Sequence, residues 1–250
     1  MNHLKSQLKL AAAITLALAS LGAASTVQAQ AAKPADEVSF NAAVTTDYRY
    51  RGISQSRLKP ALQGGADYVN NPSGFYAGTW VSTIKWVKDA GGNGDIEWDI
   101  YGGKKGELAP GISYDVGGLY YFYPSNALAT SANTFELYGQ VGYGPGYIKY
   151  SHSTTNLFGT SNSKNSGYLD VGANLDIGNG LLLNLHVGHQ GVKNNGALSY
   201  TDYKIGVTKD FGICTVALAA IYADTKADVI SPSGKNLART GVVLTVSKTF

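Results

Sequence analysis

Arg239-Thr240-Gly241-Val242-Val243-Leu244-Thr245-Val246-Ser247-Lys248-Thr249-Phe250 is the stretch that decides the fold. Val242, Leu244, Val246 and Phe250 share one parity, and Val243, Thr245, Ser247 and Thr249 share the other. Successive side chains of an extended chain point to opposite faces, so this stretch predicts a strand with one apolar face and one mostly small or polar face. Lys248 is the only charge on the apolar side. Such a strand suits a wall with lipid on one side and water on the other.

The same rhythm recurs upstream. Leu169, Val171, Ala173, Leu175 and Ile177 alternate with Asp170, Gly172, Asn174 and Asp176, and Leu183, Leu185 and Val187 face away from Asn184, His186 and Gln190. Tyr114, Val116, Tyr120 and Phe122 alternate with Asp115, Gly117 and Tyr121. A first strand is expected over 38–51, with Phe40, Ala42, Val44, Tyr48 and Tyr50 outward and Asp47, Arg49 and Arg51 inward. Turn chemistry at Asn71-Pro72-Ser73-Gly74, Pro110-Gly111, Gly144-Pro145-Gly146, Gly178-Asn179-Gly180 and Asp210-Phe211-Gly212 divides the chain into about twelve strands. Short turns follow the even strands, and longer polar or glycine-rich loops follow the odd ones. An even count with that alternation predicts an all-β, antiparallel, up-and-down transmembrane barrel occupying residues 30–250 as one domain, with short turns and both termini on the periplasmic side. Phe40, Tyr68, Phe75, Tyr143, Tyr147, Phe211 and Phe250 are expected near one rim, and Tyr48, Tyr50, Trp86, Trp98, Phe122 and Tyr222 near the other, as two aromatic girdles.

The beginning of the sequence supplies a compartment. Lys5 and Lys9 precede an apolar run from Leu10 to Ala24, and Val27-Gln28-Ala29 offers the small residues of a cleavage site, so residues 1–29 read as a cleaved export signal. The run is too short for a membrane-spanning helix, which needs about 20 residues. With Lys5 and Lys9 removed from the total of 20, Lys+Arg is 18 against Asp+Glu 17, a balance that gives no support for a nucleic-acid partner. Cys214 is the only cysteine, so no internal disulfide can form. The 31 glycines and 17 tyrosines supply the turn and strand formers that such a sheet requires.

Parity assigns an inward set of Asp47, Arg49, Arg51, Asp67, Glu97, Asp99, Asp115, Glu136, Lys149, Asp170, Asp176 and Lys204. A cationic side chain facing lipid at the midplane costs about 2–4 kcal/mol, which directs these groups to the lumen. Twelve strands lie between eight, whose side chains fill the interior, and sixteen, which leave an open channel, so a narrow aqueous lumen is expected. Arg49 and Arg51 facing carboxylates would set a transverse field across it. No connection is long enough to suggest a deep constriction loop, and selectivity is expected from the wall. The expected function is passive diffusion of small hydrophilic solutes across the outer membrane. A closed structural or surface-binding barrel is the alternative.

Tyr48-Arg49-Tyr50-Arg51-Gly52-Ile53-Ser54-Gln55-Ser56 resembles the opening motif of the TorF-like family of putative porins, proteobacterial conserved hypothetical proteins. Gly74-Phe75-Tyr76-Ala77-Gly78, Glu97-Trp98-Asp99-Ile100-Tyr101, Tyr120-Tyr121-Phe122-Tyr123-Pro124 and Glu136-Leu137-Tyr138 are similar to it too. The resemblance implies an outer-membrane barrel of unspecified cargo. The partners expected of such a protein are outer-membrane lipid, the barrel-assembly machinery and small polar solutes.

Other chemistry finds weaker support. Tyr150-Ser151-His152-Ser153-Thr154 is the nearest candidate for a lipid-modifying barrel enzyme, but Thr154 stands where a His-x-Ser pairing needs serine. His186 and His189 fall on opposite faces, which argues against a shared metal, and no cofactor motif is present. Gly91-Gly92-Asn93-Gly94-Asp95 occurs once and reads as a flexible loop rather than a calcium-binding repeat.

Overall fold

Alternation becomes architecture in the computed structural model, which describes residues 34–226 and 228–250. The expected export signal, residues 1–29, lies outside the described residues. Twelve strands close into a ring: β1 (Asp36–Thr45), β4 (Ala61–Asn70), β5 (Phe75–Thr83), β6 (Ile96–Ala109), β7 (Ile112–Phe122), β8 (Thr134–Tyr143), β9 (Gly146–Ser153), β10 (Gly167–Asp176), β11 (Leu181–Gly191), β12 (Tyr200–Asp210), β13 (Thr215–Thr225) and β14 (Gly241–Thr249). Two short strands, β2 (Arg49–Tyr50) and β3 (Ile53–Ser54), pair only with each other. Each barrel strand runs antiparallel to both neighbours, and β1 pairs β14 as well as β4, so the ring presents no free edge.

The seam is closed by Asn41 opposite Thr249 and Thr45 opposite Thr245. Beyond that ladder Phe40 and Phe250 exchange both backbone hydrogen bonds, at 3.1 and 2.8 Å. One end of the barrel carries the short reversals 71–74, 110–111, 144–145, 177–180 and 211–214, and the other carries the longer connections. The connection 84–95 holds the only α-helix among the described residues, the single turn α1 (Trp86–Asp89).

Every barrel strand turns large apolar side chains outward. Val242 on β14 is 69% exposed, Leu62 on β4 63% and Ile148 on β9 56%, and comparable residues ring the whole wall. A continuous apolar belt of this extent is unstable in water and fits a hydrocarbon surround. Near the short-turn end Lys104 and Lys209 lie over the rings of Phe75 and Phe211, at 5.0 and 5.4 Å from the centroids. Their stems lie along apolar surface while the ammonium groups reach the interface.

The rim girdles form only in part. Phe40, Tyr68, Phe75, Tyr143, Phe211 and Phe250 are exposed at the short-turn end, and Trp98 and Tyr222 at the other. Tyr48 is buried inside the barrel, Tyr50 and Trp86 pack against the internal core, and the Tyr147 ring lies against Gly172 on the inward face. These four belong to the interior and not to the girdles.

Candidate functional site

Beyond Thr45 the chain departs from the first strand expected over 38–51. It turns into the barrel, with β2 and β3 joined by Arg51 and Gly52, whose φ values are 45° and 81°. Two left-handed residues in succession make the tight reversal whose twist matches a hairpin. Glycine is required at the second position, because a Cβ on Gly52 would lie 2.6 Å from the Cβ of Asp202 and 2.9 Å from that of Ala223. The tip is therefore seated against β12 and β13.

Side chains fasten the hairpin along its length. At its root Asp47 accepts from Arg49 Nε (2.8 Å) and from the hydroxyls of Ser54 and Ser56, while Ser56 Oγ accepts the Tyr48 N–H at 2.9 Å. Arg49 also donates to the carbonyl of Arg239, just ahead of β14, at 2.7 Å. Midway, the Tyr48 hydroxyl donates to Glu97 Oε1 on β6 (2.6 Å), whose Oε2 accepts from Tyr123 (2.9 Å). The Tyr50 and Tyr121 hydroxyls are 2.6 Å apart.

At the tip Arg51 grips Glu136 with both terminal nitrogens, at 3.0 and 2.7 Å, and donates to Gln190 Oε1 at 2.6 Å. Its guanidinium lies 4.8 Å from the Tyr50 ring centroid and 4.1 Å from that of Tyr168. Glu136, Tyr168 and Gln190 belong to β8, β10 and β11, strands on the far side of the ring from β1. The hairpin thus spans the lumen from wall to wall. The expectation that no connection constricts the interior is overturned: a short segment suffices because it folds inward and satisfies its polar groups on the wall.

Packing fills one side of that level. Tyr48, Trp80, Ile84, Val87, Leu119, Tyr121 and Tyr123 form a buried cluster, with Tyr48 edge-on to Trp80 at 5.4 Å between centroids. Loop 84–95 presses on the same hairpin, since the Gln55 carbonyl accepts from Lys85 N–H at 2.7 Å. In that loop Lys88 donates to Asp95 at 2.8 Å and holds its carboxyl below the usual range, and the hydrogen bond from Arg57 to Asp89 raises the Arg57 guanidinium.

Toward the short-turn end the lumen is polar. Across β6 to β10 the register sets Lys105, Asp115, Gln140, Lys149 and Asp170 side by side. His186 continues the belt, its Nδ1 2.8 Å from Asp170 and its Nε2 2.7 Å from Asp202, with Lys204 opposite it in register. Tyr76 donates to Asp115 and Tyr101 to Asp67, both at 2.6 Å, and Lys149 lies 4.1 Å from the Tyr138 ring centroid. Asp67 Oδ2 and Asp99 Oδ1 are buried without a hydrogen-bond partner among the described residues.

Of the residues assigned to the lumen by parity, Asp67, Glu97, Asp99, Asp115, Glu136, Lys149, Asp170 and Lys204 sit on inward faces of the wall, four of them buried. Asp47, Arg49 and Arg51 sit on the hairpin. Asp176 lies at the short-turn rim, where it accepts the Gly178 N–H at 2.8 Å. Asp202, Tyr168 and Gln190 were not in the parity set, although Asp202 shares the parity of Lys204 and was open to the same reading.

The residues considered for lipid chemistry do not assemble. Ser151 and Ser153 are buried. His152 Nε2 is 3.3 Å from Asn165 Oδ1, and the Thr154 hydroxyl donates to the Phe135 carbonyl rather than to the imidazole. His189 pairs with Thr201, away from His186, and among the described residues no group of three or more His, Cys, Asp or Glu is placed to hold a metal.

A family model described as "Bacterial protein of unknown function (Gcw_chp)" matches residues 28–250, and the chain belongs to that family. A comparison with curated proteins finds no match. Among solved structures the chain is similar to a KdgM porin, 6% identical with a TM-score of 0.55, and to a NanC porin, 10% identical with a TM-score of 0.54. Each alignment covers 85% of this chain and 98% of the other. At such identities the likeness is one of fold.

Proposed function

We propose, with that family membership as premise, that the protein is a porin-like outer-membrane channel of the TorF-like kind, passing small hydrophilic solutes by diffusion, with the β2–β3 hairpin as its constriction. The observation that carries this reading is the contrast between the two faces of the wall. All twelve strands are apolar outside, while the inside carries Asp, Glu, Lys and His side chains, a lining that suits water or a polar solute. The two similar structures are named porins, which agrees with it.

Residues 1–29 would direct export, the barrel-assembly machinery would insert residues 30–250, and the long connections would face outward. On the inward wall carboxylates (Asp67, Glu97, Asp99, Asp115, Glu136, Asp170, Asp202) outnumber ammonium groups (Lys105, Lys149, Lys204). Lined with that excess of carboxyl groups, the channel prefers cations.

A hairpin anchored on opposite walls also favours a second reading, a closed barrel with a structural or surface-binding role. Planar-bilayer recording separates the two. Discrete conductance steps with a reversal potential of cation-selective sign in a salt gradient are expected. If neither the intact protein nor a variant lacking residues 49–54 conducts, the barrel is closed and the channel reading is wrong.

A further inference from the structure

Arg51 occupies a site that belongs mostly to the wall. Its carboxylate, its amide acceptor and one of its two aromatic faces come from β8, β11 and β10, and each is held by a contact with another residue of the wall. Glu136 Oε2 accepts from Tyr121 at 3.2 Å. The Gln190 amide nitrogen donates to the Gly167 carbonyl at 3.0 Å, which aims its oxygen inward. The Tyr168 hydroxyl donates to Asp202 Oδ2 at 2.9 Å. Glu136 and Gln190 are 2% exposed and Tyr168 5%.

A carboxylate taking two parallel N–H bonds, a further acceptor in reach and a ring face alongside form a receptor for a planar, forked cation, and an ammonium ion cannot meet all of it. The residue filling it does so from a left-handed backbone, a conformation a non-glycine residue seldom adopts.

We infer that the Glu136, Gln190 and Tyr168 site is a binding site for guanidinium-bearing solutes, occupied in this conformation by Arg51 as a tethered competitor. A free guanidinium that takes the site displaces the tip and opens the lumen, so the solute that is selected also admits itself. This rests on the channel reading for its consequence, but binding can be measured without conduction. A tethered group competes at an effective concentration in roughly the millimolar range or above, so millimolar solute is the range to search.

The test uses folded protein in detergent and methylguanidinium as probe, with urea and potassium at matched concentration as controls. Methylguanidinium is expected to raise the thermal midpoint of Arg51→Ala saturably, and not that of Arg51→Ala/Glu136→Gln. Arg51→Lys, which keeps a cation at the tip, serves if the alanine variant does not fold. In a planar bilayer, the intact protein exposed to methylguanidinium on the long-loop side is expected to open. At ten times the solute's Kd for the displaced state the open-to-closed ratio rises roughly tenfold. Binding that survives Glu136→Gln, or an equal response to urea or potassium, overturns the inference. So does binding to Arg51→Ala with conducting intact protein whose current ignores the probe, because the pair is then a structural clasp only. Binding with no conduction from any variant leaves the site standing and sinks the channel reading instead.

Discussion

The two halves of the lumen are built on different principles. At the long-loop end the interior is crowded: a hairpin with aromatic neighbours, buried ion pairs and a non-glycine left-handed residue spans from the β1 side to β8 and β11. At the short-turn end the charges of Asp115, Lys149, Asp170, His186 and Lys204 come from the sheet itself, fixed by register. A segment held by side-chain contacts and a few backbone hydrogen bonds outside the barrel ladder can leave, whereas a residue in a closed ladder cannot move without breaking the ring. On the proposed channel reading, hairpin seating and charge preference are therefore expected to be separable, each altered alone.

The largest effect is expected from Glu136→Ala, which strands the Arg51 guanidinium. Breaking a buried pair by removing one partner costs about 3–5 kcal/mol, borne by the hairpin. Hydrogen exchange should show residues 48–56 losing protection while the β9–β13 ladder keeps its own, and equal loss in both would abolish the distinction between the halves. Gly52→Val comes next. A β-branched residue at φ 81° with its Cβ driven into Asp202 and Ala223 carries strain of about 1–3 kcal/mol, and conductance should rise without change in reversal potential. Lys149→Gln with Lys204→Gln should do the opposite, making the reversal potential more cation-selective and leaving hairpin protection as it was. A change in both would show the two depths to be coupled.

The smallest effect is a pH effect outside the membrane. Asp95 is held below its ordinary value of 3.8 by Lys88, so the pair's contribution is present above that value and is lost only as pH falls through the lowered one. Loop 84–95 should loosen in that acid range, with little change in barrel melting, because exposed pairs contribute about 0–1 kcal/mol.

Why the hairpin escaped a reading by alternation is visible in its own residues. On β14 and β10 apolar and polar residues alternate against sheet neighbours, and the faces follow. From Phe40 to Arg51 the same alternation runs on, with Thr46 the one polar residue on the apolar parity, yet the sheet ends at Thr45. Parity reports which side chains share a face but not whether a partner strand lies beside them. The signals that mark the departure are chemical: Gly52, which the reversal demands, and Asp47, Ser54 and Ser56, which bond one another instead of a strand. The stretch from Tyr48 to Ser56 that carries the family resemblance coincides with this hairpin. Tyr147 misled for a simpler reason. Its parity is that of Lys149, so its inward position follows from the strand it occupies.

Arg49 holds the backbone of Arg239 at the threshold of β14, whose meeting with β1 joins the stretches of sheet farthest apart in sequence. Contacts of that span form late, since the chain between them must first be ordered. The hairpin cannot make its full set of bonds until the seam has knit, so an unfinished ring holds this inner segment loose, and its seating reports that assembly is complete.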